Sequence, residues 1–174
     1  MTRQRFLTQL LGLLVVPATA SGRAQRPVDA GRPDDTVRRL DTPTSVWRTR
    51  LSTAEYEVLF EGDTEPPGSS PLNDEHRDGT YICAACYLPL FDSDAKFESG
   101  TGWPSFTAPI AGRVETQLDF WLILPRTEYH CARCGGHQGH VFDDGPPPTG
   151  ERWCNNGLAL DFVPRDRDLP SLRS

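Results

Sequence analysis

The sequence lacks a long hydrophobic run, internal repeats and an excess of basic residues, and each absence excludes a class of protein. Its most apolar stretch, residues 7–16, is too short to span a bilayer, because a membrane helix needs about 20 residues. Glycine and proline fall at turn-like positions, which indicates a small globular domain rather than a low-complexity chain. The formal net charge is −6; without residues 1–20 and their two arginines, 16 basic and 24 acidic residues give −8. Such a charge argues against nucleic-acid binding.

Residues 1–20 have the three parts of a cleaved export signal. Arg3 and Arg5 precede the apolar run, and Ala18-Thr19-Ala20 matches a small-residue cleavage site. An apolar first helix of the domain is the alternative, but Pro17 and the polar residues after it give that helix nothing to continue into. The basic part also resembles a twin-arginine signal with one arginine replaced by glutamine. We therefore expect export to the bacterial periplasm, by the Sec or a degenerate twin-arginine route, with no membrane attachment after cleavage.

The rest of the chain divides by composition into three segments. Residues 21–45 are rich in Arg, Asp, Pro and Gly and have few large apolar side chains, which predicts a flexible tether. Residues 46–166 carry the apolar and aromatic residues of one folded domain, a usual size for a chain of this length. The charged residues 167–174 predict a loose tail.

The predicted domain starts with a short helix and continues as short strands. Ser52 and Glu55 form a capping-box pattern, which predicts a helix that ends near Phe60. From Gly79 onward, β-branched and aromatic residues are interrupted by Gly and Pro, a pattern typical of a mainly β sandwich or barrel with a few short helices. The predicted strands are Thr80–Cys83, Val114–Gln117, Phe120–Leu124, Glu128–Cys131, His140–Phe142, Trp153–Asn155 and Leu158–Val163.

Four of the five cysteines form two C-x-x-C pairs that lie far apart in the sequence. Paired thiolates at this spacing predict a structural zinc site that clamps distant segments together. Two disulfides are the alternative in an oxidising compartment, and a thioredoxin-like redox pair is a third possibility, although no βαβ pattern surrounds either pair. Catalytic zinc keeps an open position, and four thiolates leave none. The four residues are Cys83, Cys86, Cys131 and Cys134.

The fifth cysteine, Cys154, is the candidate nucleophile. A lone cysteine in a strand is often a small buried hydrophobe, but here Arg152 stands two positions away, and positive charge lowers a thiol pKa. His137 and His140 are candidate proton carriers, with metal ligation or a surface position as the alternatives. Trp103 lies between two glycines and a proline, which favours a rigidly presented ring over a core residue.

The order of motifs resembles the methionine sulfoxide reductase B family, which reduces the R epimer of methionine sulfoxide and so repairs oxidised proteins under oxidative stress. The resemblance covers about residues 47–162. It implies two antiparallel β-sheets with a few helices and, as in many members, zinc held by the two C-x-x-C pairs. The motifs are GTYICAACYLPLF, KFESGTGWPSF and RTEYHCARCGGHQGHVFDDGPPPTGERWCNNGLALDF.

The resemblance also implies a role for each candidate residue. Cys154 attacks the sulfoxide sulfur and becomes a sulfenic acid, while His140, rather than His137, protonates the departing oxygen. Trp103 receives the substrate methyl group. The remaining matching positions are Asn156 with the two histidines around the sulfoxide, Phe142 in the pocket lining and Arg152 near the nucleophile.

Three positions depart from the family pattern. Thr101 stands where many members have a cysteine that resolves the sulfenic acid, so an external thiol, from a thioredoxin-like protein or another exported dithiol, is expected to act on Cys154. Trp153 replaces the usual Tyr or Phe, and Gly157 replaces a Ser, which makes the neighbouring Asn156 a softer assignment. We expect a monomer by default.

Two rival functions use fewer of these features. A zinc-ribbon interaction module accounts for the four paired cysteines but gives no role to Cys154, Trp103 or the histidines. A thiol–disulfide oxidoreductase predicts redox-active C-x-x-C pairs and no metal.

Overall fold

The computed structural model describes residues 37–119 and 125–174, which belong to one compact unit formed by residues 36–174. The predicted export signal, the tether up to residue 36 and the predicted strand Phe120–Leu124 lie outside the described residues. Within the described ranges, no helix is both long enough and apolar enough to cross a membrane.

Two α-helices open the domain. Helix α1 spans Thr44–Trp47 and helix α2 spans Thr53–Glu61. The predicted capping box is confirmed: the Glu55 amide donates to the Ser52 hydroxyl, and the Glu55 carboxylate accepts from the Ser52 amide at 2.7 Å. Gly62 ends α2 in the left-handed conformation. Short 3-10 helices occupy Pro71–Asp74, Ser93–Ala95 and Gly157–Ala159.

The described residues contain nine strands in two antiparallel sheets, so the predicted mainly β fold is confirmed. The small sheet has the order β2-β1-β9, and the large sheet has the order β3-β4-β8-β7-β6-β5. The strands are β1 Gly79–Cys83, β2 Pro89–Asp92, β3 Lys96–Phe97, β4 Ser105–Phe106, β5 Val114–Asp119, β6 Arg126–Cys131, β7 His137–Phe142, β8 Arg152–Asn155 and β9 Leu160–Pro164.

The predicted strands differ from these mainly at their ends. The strand predicted to start at Leu158 starts at Leu160, because a 3-10 turn occupies the positions before it. Strands β2, β3 and β4 were not predicted from the sequence. Two of them have only two residues each, too few to show an alternating pattern.

Both sheets contribute aromatic side chains to one core. Tyr81 and Phe91 from the small sheet contact Phe106 from the large sheet, and the Phe91 and Phe106 rings stack with centroids 4.1 Å apart. Tyr129 of β6 packs edge-on against Phe91 and Trp153. Each buried ring of this kind stabilises the fold by about 1.5–3 kcal/mol, and together they fix the two sheets against each other.

Contacts extend beyond the predicted domain span of 46–166 on both sides. The Leu40 amide donates to the Arg133 carbonyl at 2.7 Å, in the segment predicted to be a tether. In the predicted loose tail, the Arg173 amide donates to the Cys86 carbonyl, and its guanidinium donates to the Ala84 carbonyl. Both segments are therefore attached at the turns that carry the paired cysteines.

Candidate active site

The paired cysteines join the two sheets. Cys83 and Cys86 lie at the end of β1 and in the turn after it, and Cys131 and Cys134 occupy the equivalent places after β6. Their four sulfur atoms all lie within 4.8 Å of one another. The nearest sulfurs come from different pairs: Cys83 to Cys134 at 3.6 Å and Cys86 to Cys131 at 3.5 Å.

This arrangement fits a tetrahedral metal ion. Sulfurs at about 2.3 Å from a zinc ion lie about 3.8 Å apart, close to the separations found here. All five cysteines are free thiols, so the two-disulfide alternative does not describe this structure. Hydrogen bonds with the other cysteines of the cluster, that with Cys131 above all, raise the pKa of Cys83 and lower the pKa of Cys86. Three of the four cysteines are buried and Cys134 is partly buried. As thiolates the four would need a cation among them, and the cluster can hold one.

Cys154 lies on β8, an inner strand of the large sheet. The sheet register places it directly opposite His140 on β7 and opposite Ser105 on β4. Directly paired residues of antiparallel strands project from the same face, so the thiol and the imidazole share one side of the sheet. Phe142 and Arg152 form the next pair on this side, with the guanidinium 4.4 Å from the ring centroid.

A β-bulge brings His137 to the same face as His140. Residues three apart in a regular strand point to opposite faces. Here the register shifts between Tyr129 and His130 of β6, so that Gln138 is an extra residue on β7. The two histidine rings therefore lie side by side, with centroids 5.4 Å apart.

A cavity of about 130 Å³ opens over the Cys154 thiol. Trp103 and Phe142 give it aromatic walls, and His140 adds a polar group. Trp103 is half-buried, and its indole N–H donates to the Glu65 carbonyl at 3.1 Å, which fixes the ring. The lining consists of Thr64, Trp103, Arg126, Gly139, His140, Phe142, Cys154, Asn155 and Asn156.

The Cys154 thiol is subject to opposed influences. Burial raises its pKa, while the positive charge and hydrogen bond of Arg152 and the hydroxyl of Thr101 lower it. Arg152 is itself held by Asp144, whose two carboxylate oxygens accept from the guanidinium at 2.7 and 3.0 Å. The resting side chain is therefore a thiol with a thiolate-stabilising cation beside it.

His140 is neutral at rest. Burial lowers its pKa, the charge of Arg126 lowers it further, and a hydrogen bond with Asp119 opposes both. Its Nε2 lies 3.2 Å from Asp119 Oδ2, an atom that also accepts from Arg126 at 2.8 Å. A carboxylate beside a neutral imidazole orients the ring and fixes the nitrogen that carries the proton.

His137 and Asn156, both predicted to surround the substrate, make mainly internal contacts. His137 is buried and does not line the Cys154 cavity; its Nδ1 lies 2.5 Å from Glu128 Oε1. The Asn156 amide lines the cavity, yet its oxygen accepts from the Glu65 amide and its nitrogen donates to the Gln138 carbonyl. Asn156 therefore lines the cavity while its amide is held by the protein, and His137 lies outside the lining.

Glu65 is a site residue that the sequence did not indicate. Its buried carboxylate accepts from the amides of Gly157 and Leu158 at 2.6 and 2.9 Å, its carbonyl holds Trp103, and its amide holds Asn156. Glu65 is one of several acids in a polar segment and stands before two prolines, so the sequence predicts a loop there. The only hint in the sequence was that Glu65 lies in a polar segment to which the sequence analysis gave no role.

Arg126 and Gly139 were also missed. Arg126 lines the cavity, and its buried Nε has no hydrogen-bond partner among the described residues. Gly139 lies where a Cβ atom would meet the Cys154 carbonyl at 1.9 Å, so only glycine allows β7 and β8 to approach this closely. The GxxGH spacing around it was the available signal.

A cysteine paired with a histidine beside such a cavity is the arrangement of a cysteine-dependent enzyme, in which the thiol is the nucleophile and the imidazole transfers the proton. The SelR domain model matches residues 51–164 of the sequence. The chain belongs to the SelR domain family of peptide methionine sulfoxide reductases, as the sequence resemblance predicted.

Similar proteins align with this chain over most of their own length. The peptide methionine sulfoxide reductase MsrB of Pseudomonas entomophila (strain L48) is 50% identical over 132 residues, which is 75% of this chain and 100% of that protein. MsrB of Pseudomonas putida (strain W619) is 49% identical, over 75% of this chain and 98% of its own. MsrB of Bradyrhizobium diazoefficiens (strain JCM 10833 / BCRC 13528 / IAM 13628 / NBRC 14792 / USDA 110) is 52% identical, over 68% and 86%.

Proposed function

We propose that this protein reduces the R epimer of methionine sulfoxide, in peptides or oxidised proteins, to methionine. The observation that carries this proposal is the pairing of Cys154 with His140 across two strands, under a cavity walled by Trp103. The names of the relatives support the reaction class.

The first half of the reaction needs one thiol and one proton. The Cys154 sulfur attacks the sulfoxide sulfur, and the thiol proton passes through His140 to the sulfoxide oxygen. The attack forms an S–S bond between Cys154 and the substrate; the protonated oxygen then moves to the Cys154 sulfur as the substrate S–O bond and this S–S bond break, which leaves Cys154 as a sulfenic acid and releases methionine. A thiol and a neutral imidazole together hold the required proton, and this is the resting state that burial favours for both groups.

The proposed epimer selection follows from the cavity walls. The apolar rings of Trp103 and Phe142 accept the methyl group, which directs the oxygen toward His140 and Arg126. In the S epimer the oxygen and the methyl group exchange places relative to the rest of the side chain, so the oxygen would face the rings and lose its donors.

The second half requires a thiol from outside the chain. Thr101 stands near Cys154 and has no sulfur, and the other four cysteines are gathered in the separate cluster. An external thiol therefore attacks the sulfenic acid and releases water, and a second thiol resolves the mixed disulfide and regenerates Cys154. We propose a thioredoxin-like protein or another exported dithiol as this reductant.

We also propose that the cluster of Cys83, Cys86, Cys131 and Cys134 holds a structural zinc ion. Its sulfur separations and its four thiol donors support zinc, and it leaves no open position for chemistry. The protein is proposed to act as a monomer in the bacterial periplasm after cleavage of residues 1–20, without nucleic-acid or membrane partners.

The test is turnover of the two separated sulfoxide epimers of a blocked methionine, with dithiothreitol as reductant. We expect reduction of the R epimer alone, and none by Cys154→Ser, which should keep its metal and its fold. Reduction of the S epimer, or activity in Cys154→Ser, would contradict the mechanism. After one turnover without reductant, mass spectrometry should show one added oxygen; a loss of two hydrogens would instead indicate an intrachain disulfide.

A further inference from the structure

Three side chains beside the proposed active site converge on one point. Glu128 and His130 lie two apart on β6, and His137 lies opposite His130 on β7, so all three project from one face. His130 Nε2 lies 3.0 Å and His137 Nδ1 lies 2.5 Å from the same carboxylate oxygen, Glu128 Oε1. The three donor atoms all lie within 4.8 Å of one another.

The neighbouring residues prepare the carboxylate for a further ligand. The Gln117 amide donates to Glu128 Oε2 at 2.8 Å, which leaves Oε1 turned toward the two imidazoles. Orientation of a ligating carboxylate by a hydrogen bond to its other oxygen is a usual feature of metal sites. The β-bulge at Gln138 is also required, because a regular β7 would turn one of its two histidines away from this face.

The surroundings admit a cation. A cavity of about 280 Å³ lies against the cluster, and its lining includes Glu61, Asp119, Glu128, His137, His140 and Arg126. Arg126 pairs with Asp119 and Arg48 pairs with Glu61, which leaves Glu128 as the carboxylate that faces the two imidazoles. The side chains of His130 and Glu128 are 18% and 17% exposed, so an ion can reach them from solvent, while His137 closes the inner side.

We propose that Glu128, His130 and His137 form a second metal site, which binds a first-row divalent cation of the Zn²⁺, Co²⁺ or Ni²⁺ class. Two imidazoles and one carboxylate are the donor set these ions prefer. At metal–ligand distances of about 2.0–2.2 Å, the donor atoms of such a site lie about 3.0–3.5 Å apart. The His130–Glu128 separation of 3.0 Å lies in this range, and the His137–Glu128 separation of 2.5 Å lies below it. The ion would take the place of these two contacts on Glu128 Oε1. Three protein ligands leave open positions, which makes this site weaker than the four-cysteine cluster.

Occupancy of this site is expected to slow sulfoxide reduction, a consequence that rests on the proposed function. The His137 and His140 rings pack 5.4 Å apart, centroid to centroid. A cation that links β6 to β7 through His137 fixes that ring and restricts the movement of His140 toward the substrate oxygen.

The binding test uses Co²⁺ and the zinc-loaded protein in a Cys154→Ser background, so that neither the cluster nor the nucleophile contributes a thiolate. Calorimetry and the visible Co²⁺ spectrum should report one added ion per chain, without a thiolate charge-transfer band. In this background His130→Asn should weaken Co²⁺ binding by at least about tenfold, because a direct ligand is lost. His76→Asn is the matched control: His76 is exposed, lies outside the cluster and should leave binding unchanged. Equal binding by the His130 variant, or no binding by the parent, would overturn the site.

The effect on reduction is tested separately with Cys154 present. Single-turnover methionine formation is measured without a thiol reductant, because dithiols chelate the metal. Co²⁺ should slow the parent and His76→Asn, while His130→Asn should be resistant. Binding without slowing would leave the site intact and overturn the inhibition; absence of turnover in all proteins without Co²⁺ would contradict the proposed reaction and leave the binding result standing.

Discussion

At the scale of single residues, the site depends on how Cys154 is charged. The side chain is half-buried in a cavity with aromatic walls, and burial holds its pKa above the ordinary value for a thiol. Arg152, buried and fixed by Asp144, supplies the opposing positive charge. The thiolate is the nucleophilic form, so the balance between these two effects sets the reactivity of the free enzyme.

Replacing Arg152 with Met should therefore make Cys154 less reactive at neutral pH. Loss of the cation raises the thiol pKa, and each added pKa unit reduces the thiolate fraction about tenfold at any pH below it. The rate of iodoacetamide alkylation of Cys154, followed by peptide mass spectrometry from pH 6 to 10, should shift to higher pH. Arg152→Lys should restore part of the rate, and Arg165→Met, which removes an exposed ion pair with Asp92, is the control. An unchanged pH profile in Arg152→Met would show that its charge does not act on the thiol.

At the scale of elements, the turns before β9 and around Glu65 are fitted to each other. Gly157 stands where a serine is usual in the family, and the structure shows why a side chain does not fit at this position. A Cβ at Gly157 would lie 1.9 Å from the Ser70 hydroxyl oxygen and 2.4 Å from its Cβ. Ser70 in turn caps the 3-10 helix Pro71–Asp74 by accepting from the Leu72 amide. The Ser70 side chain therefore fills the space that a side chain at position 157 would need.

This complementarity predicts coupling between the two positions. Gly157→Ala should destabilise the fold by about 1–3 kcal/mol, the usual cost of overpacking, and should weaken substrate binding through Asn156. Ser70→Gly loses a side-chain cap, at a cost of roughly a few tenths of a kcal/mol. The double variant should be more stable than the sum of the two changes allows, because Ser70→Gly makes room for the methyl group. Urea unfolding of all four proteins measures this coupling, and strict additivity would refute it.

At the scale of the whole molecule, the four-cysteine cluster lies where the two sheets meet. One pair follows β1 of the small sheet, and the other follows β6 of the large sheet. The segment around Leu40 and the tail around Arg173 both bond to these same turns. A metal ion in the cluster would thus hold the two sheets, the segment around Leu40 and the tail around Arg173 at one place.

Loss of this metal should cost more stability than loss of any single core contact. Cys86→Ser is expected to lower the zinc content and reduce the midpoint of thermal unfolding by more than about 10 °C, because structural zinc contributes several kcal/mol to folding. Metal analysis and calorimetry check this result. Cys154→Ser, which removes the cysteine outside the cluster, should retain its zinc. Full stability of Cys86→Ser without metal would exclude a structural role for the ion.

The sequence by itself determined the features that depend on local pattern. The capping box set the start of α2, the spacing of the cysteines identified the cluster, and the motif around Cys154 identified the family. These features can be predicted because the interacting residues are close in sequence, or because paired cysteines at this spacing have few structural roles other than metal binding and disulfide formation.

The tertiary structure decided how distant residues meet. The register of β7 and β8 placed His140 against Cys154, and the bulge at Gln138 turned His137 toward Glu128. Glu65 became a hub for Trp103, Asn156 and the turn at Gly157. Such partners are separated by up to 93 positions in the chain. The residues next to a carboxylate or a bulge in the sequence do not show which distant residue it will contact. Strand pairing and core packing select these contacts, and both are properties of the folded chain.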